Sequence, residues 1–157
     1  MDYLPIAVNL KNKKVIVIGG GPVAQRKVLT LLEFNASVEI IAPQTTEKIK
    51  SLVASSNIAW LRRTVREEDI KDASLVIAAT NREDVNERVS LWAHNYNIPI
   101  NVVDRPFLSD FISLALLKKE KALIAVYSDA KDPVLSRDLK NYLKEKWDDF
   151  LLYRDKL

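Results

Sequence analysis

All three glycines of this chain are consecutive, Gly19, Gly20 and Gly21, and no other residue of the 157 is a glycine. They separate the apolar run Val15-Ile16-Val17-Ile18 from a stretch of helical spacing, Val23 to Phe34, in which Ala24, Val28, Leu31 and Leu32 share one side. A short run with no polar residue predicts a strand buried on both faces. The spacing Gly19-x-Gly21-x-x-Ala24 then has a physical meaning. The first glycine permits a tight turn, and the second removes a side chain where a pyrophosphate approaches the backbone. A small third residue lets helix and sheet pack closely, and the free amides at the helix start face the anion. Loops elsewhere close without glycine, so three together answer a local need.

The alternation continues along the chain. Val38 to Ala42 predicts a second strand, stopped by Pro43, and Thr46 to Ala54 a helix with Ile49, Leu52 and Val53 inward. Further strands are predicted at Ile58–Leu61, Leu75–Ala79 and Ile98–Val103. A helix between the last two packs through Val85, Val89, Trp92 and Ala93, with Asn81 as its cap and Asp84 as capping-box partner. Buried strands alternating with helices predict an α/β fold: a Rossmann-type, mostly parallel sheet with helices on both faces. The pattern changes after residue 110. Phe111–Leu117 and Ala122–Tyr127 predict a hairpin, and Asp132-Pro133 opens a last helix striped by Leu135, Leu139, Tyr142, Leu143, Trp147, Phe150 and Leu151. The expected division is a dinucleotide-binding domain, 1–110, and a small segment, 111–157. Such a segment cannot bury its own apolar face, so it is expected to dimerise.

Composition narrows the function. With 24 basic and 21 acidic residues the net charge is +3, a mild bias that suits an anionic ligand. No reading module for nucleic acid accompanies it. No apolar run is long enough to cross a membrane, and residues 1–9 do not have the pattern of a secretory signal, so the cytoplasm is the expected location. The chain has no cysteine and one histidine, His94, so no thiolate chemistry and no metal site is expected.

The strand ends supply candidate site residues, because open α/β sheets bind ligands beyond their carboxyl ends. Gly19, Gly21, Pro22 and Val23 would cradle the dinucleotide, Ala42 and Pro43 would meet its adenosine half, and Thr80 and Asn81 would touch ribose or nicotinamide. Glu39 lies inside the second strand and not at its end, where an acid would hold the ribose. A nicotinamide dinucleotide is therefore expected, NAD first with NADP not excluded. Asp104, in "NVVDRP", falls at the same edge, where a carboxylate can accept a proton while hydride leaves a substrate. Arg105, Lys131 and Arg137 are candidate partners for an anionic substrate.

The stretches "YLPIAVNLKNKKVIVIGGGPVAQRKVLTLLE", "VIAATNREDVNERV", "NVVDRP" and "DPVLSRDLKNYL" together resemble the precorrin-2 dehydrogenase family, including the amino-terminal part of bacterial siroheme synthases. The resemblance implies NAD-dependent oxidation of precorrin-2, a carboxylate-rich tetrapyrrole, to sirohydrochlorin. Some members also insert ferrous iron as a substrate. It implies a homodimer whose carboxyl-terminal segments cross over to complete the opposite cleft. Asp104 matches the family's acting aspartate, Ser128 a small hydroxyl residue of the tetrapyrrole pocket, and Lys131 follows the pocket loop. Leu114 stands where the family has proline, and "YSDAKDP" replaces a small, flexible loop. Several relatives continue beyond this chain's last residues into a helical domain. Those departures motivate a second reading, a dinucleotide- or tetrapyrrole-binding sensor without turnover. A third is a nucleotide-sensing domain of another system.

Overall fold

A computed structural model describes residues 3–55, 58–103, 105–119, 122–128 and 132–156. They divide into two compact units, one of residues 5–111 and one joining the first four residues to 112–157.

The first unit is built on five parallel strands. They are β1 (Lys14–Ile18), β2 (Ser37–Ile41), β3 (Ala59–Leu61), β4 (Leu75–Ala78) and β5 (Ile100–Val102), in the order β3-β2-β1-β4-β5. Three helices connect them: α1 (Pro22–Glu33), α2 (Glu47–Ser55) and α3 (Glu83–Asn95). The expected α/β class is borne out. Pleating divides the apolar strand residues between two cores. Val15 and Val17 of β1 pack with Ala24 and Val28 of α1 and Ile49 of α2, whereas Ile16 and Ile18 pack with Val89 and Ala93 of α3. That explains why Val15–Ile18 of β1 are all apolar: both faces are dry there. After β1 the chain moves out to β2 and β3, then returns past β1 to β4 and β5. The order reverses between β1 and β4, and there the loops diverge and leave a crevice at the carboxyl edge.

Glycine is spared elsewhere because asparagine takes the left-handed turns. Asn12, Asn35 and Asn97 have φ of 58°, 57° and 53°. Asparagine tolerates this region better than other residues with a Cβ. Asn35 and Asn97 end the turns after α1 and α3, and the Asn12 amide donates to the Asn35 carbonyl at 2.9 Å.

Two expectations are corrected. Asn81 does not cap α3; the N-cap position is Arg82, with no side-chain capping bond. Thr80 and Asn86 hold the turn together, as described below, and that pairing displaces the capping box. The last helix is also not continuous. In the second unit α4 (Pro133–Glu145) stops at Lys146 and α5 (Trp147–Arg154) starts anew. Asp148 and Asp149 occupy the first turn of α5, where acids favour a fresh amino terminus, and Lys146 pairs with Asp149 at 2.8 Å. The Asp132 cap of α4 is as expected, accepting from the Leu135 amide at 2.8 Å.

The second unit contains the antiparallel hairpin β6 (Ala115–Lys119) and β7 (Ala122–Val126), with Ala115 opposite Val126. Phe111 belongs instead to the first unit, where its carbonyl accepts from Asn101 Nδ2 at 3.0 Å. Leu117, Val126, Ser136 and Trp147 are buried in the second unit, while Leu123, Leu135, Leu139, Tyr142, Phe150, Leu152 and Tyr153 are exposed. A two-stranded hairpin and short helices with so small a core are marginal alone.

Candidate active site

The three glycines do different work. Gly19 has φ of +117°, and a Cβ there would lie 2.3 Å from the Ala79 carbonyl oxygen. Its amide donates to the Ile41 carbonyl at 3.0 Å, tying β1 to β2. A Cβ on Gly20 would lie 2.0 Å from the Gln44 carbonyl oxygen, and the Gly20 carbonyl accepts from the Thr46 amide at 3.0 Å. The fold itself therefore requires the first two. Gly21 has extended backbone, φ −79° and ψ −175°, and a Cβ there would meet nothing within 4 Å. Among the described residues nothing explains its glycine. It faces open space at the start of α1, where the first helical bond is Gln25 to the Gly21 carbonyl and the amides of Val23 and Ala24 precede the ladder. Pro22 lacks an amide and sits at the first helical position. This cradle fits a pyrophosphate.

The loop after β2 is locked to the turn. Thr46 Oγ1 donates to Gln25 Oε1 of α1 at 2.7 Å and accepts from the Ile49 amide of α2 at 3.3 Å. Ala42 is buried at the end of β2, its carbonyl accepting from Trp60 Nε1 at 2.9 Å, and Pro43 beside it is exposed. Glu39 stays within its strand, 3.7 Å from Lys14 Nζ. Below this edge Arg63 makes a bidentate pair with Asp69 at 2.6 and 2.7 Å, and Asp69 also accepts from the Arg66 amide. The hydrogen bond from Arg63 holds the Asp69 carboxyl below the ordinary carboxylate range, against a smaller opposing effect of burial.

Beyond β4, Thr80 is fixed by Asn86, a buried polar residue of α3. The Asn86 Nδ2 donates to the Thr80 carbonyl at 3.0 Å, and its Oδ1 accepts from the Thr80 hydroxyl at 2.7 Å and amide at 3.3 Å. Asn81 is exposed beside it. Thr80, Asn81, Glu83, Asn86, Glu87 and Arg105 line a cleft of about 170 Å³. Arg105 reaches it from the turn after β5 and pairs with Glu83. That turn is pinned to β5. The Val102 amide donates to Ser109 Oγ at 2.8 Å, the Ile100 amide to Asp110 Oδ2 at 3.0 Å, and the Asp110 amide to the Ile100 carbonyl at 2.9 Å. His94, at the end of α3, meets the other oxygen of Asp110 at 3.1 Å.

The structure thus gathers Gly19, Gly21, Ala42, Pro43, Thr80, Asn81 and Arg105 on loops that follow the carboxyl ends of β1, β2, β4 and β5, with Pro22 and Val23 at the start of α1 on the same edge. Asp104 and Lys131 lie outside the described residues. Ser128 and Arg137 belong to the second unit. The Ser128 hydroxyl is engaged with the Asp132 carbonyl and, at 2.6 Å, with Ser136 Oγ; Arg137 is exposed and pairs with Asp138 at 2.9 Å. Sequence reading missed Asn86, Glu83 and the Thr46 clamp. The signal for Asn86 was a polar residue one turn before Val89, on the inward side of α3. Among the described residues no group of three or more metal-ligating side chains forms, and no helix is long and apolar enough to cross a membrane.

Residues 6–115 match the family model described as "Putative NAD(P)-binding". The chain belongs to this NAD(P)-binding family. It is 37% identical over 145 residues to a siroheme synthase of Nitrosomonas europaea, a match covering 92% of this chain and 30% of that one. It is 38% identical over 144 residues to siroheme synthase 3 of Aeromonas hydrophila subsp. hydrophila, covering 92% and 31%. The chain therefore spans just under a third of the length of these relatives. A solved precorrin-2 dehydrogenase, SirC, shares the fold, with a TM-score of 0.79 at 24% identity over 92% of this chain and 71% of that one. The resemblance read from the motifs is upheld.

Proposed function

We propose that this protein binds a nicotinamide dinucleotide along the carboxyl edge of the β1/β4 crevice and uses it to oxidise precorrin-2 to sirohydrochlorin. The observation that carries the reading is Gly21. The fold does not need a glycine there, yet the residue keeps the start of α1 clear at the switch point. The siroheme synthase and precorrin-2 dehydrogenase names of the similar proteins support the substrate.

Gly19 and Gly21 shape the pyrophosphate cradle, and Pro22 and Val23 open the helix behind it. Ala42 and Pro43 line the adenosine side, while Thr80 and Asn81 border the nicotinamide side. No acid stands at the end of β2 to grip the ribose, so that edge does not choose between the two nicotinamide dinucleotides; NAD is taken as the cofactor, with NADP the alternative. When bound, the nicotinamide ring supplies the hydride acceptor. Asp104 takes the proton lost from the neighbouring atom as the new double bond forms. Arg105, Lys131 and Arg137 meet substrate carboxylates, and Ser128 lines the tetrapyrrole pocket. The exposed stripe Leu135, Leu139 and Tyr142 of α4 joins two copies in a homodimer. The location is cytoplasmic.

The test is anaerobic mixing of the purified chain with precorrin-2 and NAD+, or NADP+ in a parallel arm. Reduced nicotinamide and sirohydrochlorin absorption should rise together. Asp104→Asn should slow turnover by about 100-fold or more. A folded chain that binds the dinucleotide but oxidises nothing with either cofactor refutes the enzyme and favours the binding protein. Ferrous iron, added afterwards as a substrate, tests insertion separately.

A further inference from the structure

Arg105 and Glu83 face each other across the cleft beyond β4 and β5, and they are held very differently. The Arg105 backbone is fixed on both sides. Its amide donates to the Val102 carbonyl at 3.2 Å, and its carbonyl accepts from Ser109 Oγ and the Leu108 amide, both at 3.1 Å. The guanidinium lies over the Phe107 ring, 5.9 Å from its centroid, and the side chain is 35% exposed. Glu83 is on the first turn of α3 with its side chain 72% exposed, and Arg105 is its one ion-pair partner among the described residues. The neighbouring arginines are already taken, since Asp84 pairs with Arg82 at 2.7 Å and Arg88 at 3.5 Å. Arg105 is therefore a partly desolvated cation carried into the cleft by a pinned backbone, and the anion on it is an exposed one supplied by the chain.

Such a pair is easily exchanged. Solvent weakens an ion pair whose acid is this exposed. Glu83 also keeps the favour of the α3 amino terminus after it lets go, because it sits in the first helical turn. An incoming carboxylate makes the same charge-assisted bonds to the guanidinium.

We propose that Glu83 is an internal counter-anion that occupies the Arg105 seat until a carboxylate of the substrate replaces it, so that Glu83 limits the affinity of this cleft for polycarboxylates. The proposal rests on the reading of a carboxylate-rich tetrapyrrole as substrate. Glu33, exposed at the last position of α1, carries the same charge but does not line the cleft.

The experiment titrates the full chain with uroporphyrin, a stable polycarboxylate tetrapyrrole, at fixed ionic strength, following porphyrin absorbance. Glu83→Gln should tighten binding about three- to five-fold, and Arg105→Gln should weaken it about five- to tenfold. The double variant should bind like Arg105→Gln alone, and Glu33→Gln, which removes a charge outside the cleft, should leave affinity within about 1.5-fold of the parent. Thermal melts and NAD+ binding of each variant establish folding. The proposal is overturned if Glu83→Gln gives no gain. A gain of equal size in the Arg105→Gln background, or from Glu33→Gln, also overturns it, because the effect is then not that of an occupied seat. Failure of the wild-type chain to bind uroporphyrin removes the seat as well. An intact cycle from a chain that does not oxidise precorrin-2 upholds the seat and rejects the reaction.

Discussion

Replacing each glycine of the turn by alanine separates what the fold requires from what a ligand requires. Consider Gly21→Ala first. The new Cβ meets nothing within 4 Å, and φ of −79° suits alanine. Removing glycine stiffens the unfolded chain, which stabilises by about 0.4–1 kcal/mol. Alanine is a poorer helix cap than glycine, which costs about the same. The two nearly cancel, and the melting temperature should stay within about 5 °C of the parent. Gly19→Ala differs. At φ of +117° with a carbonyl oxygen 2.3 Å from the Cβ, the backbone strain alone costs about 1–3 kcal/mol. Relief of the overlap requires β4 or its loop to move. A loss of roughly 3 kcal/mol lowers the melting temperature by about 6–12 °C in a chain of this length. Circular dichroism melts give the stabilities, and fluorescence of added NADH gives the binding. The expected pattern is a stable Gly21→Ala that binds at least about tenfold more weakly, a difference of about 1.4 kcal/mol, and a destabilised Gly19→Ala. A Gly21→Ala protein with parental NADH affinity would refute the assignment of the open space to a pyrophosphate.

Two further outcomes follow from the same geometry. Asn86→Ala leaves the Thr80 amide and carbonyl without their side-chain partner, while the hydroxyl keeps the Arg82 backbone, so it should cost about 1–3 kcal/mol in chemical denaturation. Because Thr80 borders the cleft, NADH affinity should fall with it, and Asn86→Asp should not restore the donor to the Thr80 carbonyl. Asp69 gives a pH signature. Its folded carboxyl is held below the usual range by Arg63, so its contribution is full above about pH 4 and is lost as pH falls through the lower folded value. Asp69→Asn should therefore destabilise the protein at pH 7 by about 1–2 kcal/mol and narrow its gap to the parent below about pH 4. A gap that stays constant into acid would contradict the pairing.

Residues whose partners lie close in sequence were legible in advance. The apolar runs Val15–Ile18 of β1 and Leu75–Ala78 of β4 announced strands with two dry faces, and the spacing in α1 placed Ala24, Val28 and Leu31 inward, where all three are buried. Asp132 before a proline at the first helical position marked its helix start. The Thr80–Asn86 pairing was not legible, because a side-chain amide reading a strand-end backbone has no periodicity. Asn81 is a better intrinsic cap than Arg82, and it lost to three bonds made by a residue outside the local window. The break at Lys146 was masked by an apolar stripe that runs on in sequence at helical spacing, although the paired acids Asp148 and Asp149 signalled a new helix start. The Arg105–Glu83 pair is also long-range, and charge type alone does not choose among the neighbouring acids on α3.

The three left-handed asparagines bear on the state the protein leaves when it folds. A chain that closed these turns with glycine would be looser when unfolded, and each glycine would add about 0.5–1 kcal/mol of backbone entropy to be lost on folding. Asn12, Asn35 and Asn97 accept a small left-handed strain in the native state and in return keep the denatured ensemble stiffer. The chain thus confines its most permissive backbone to one turn and is elsewhere economical in disorder.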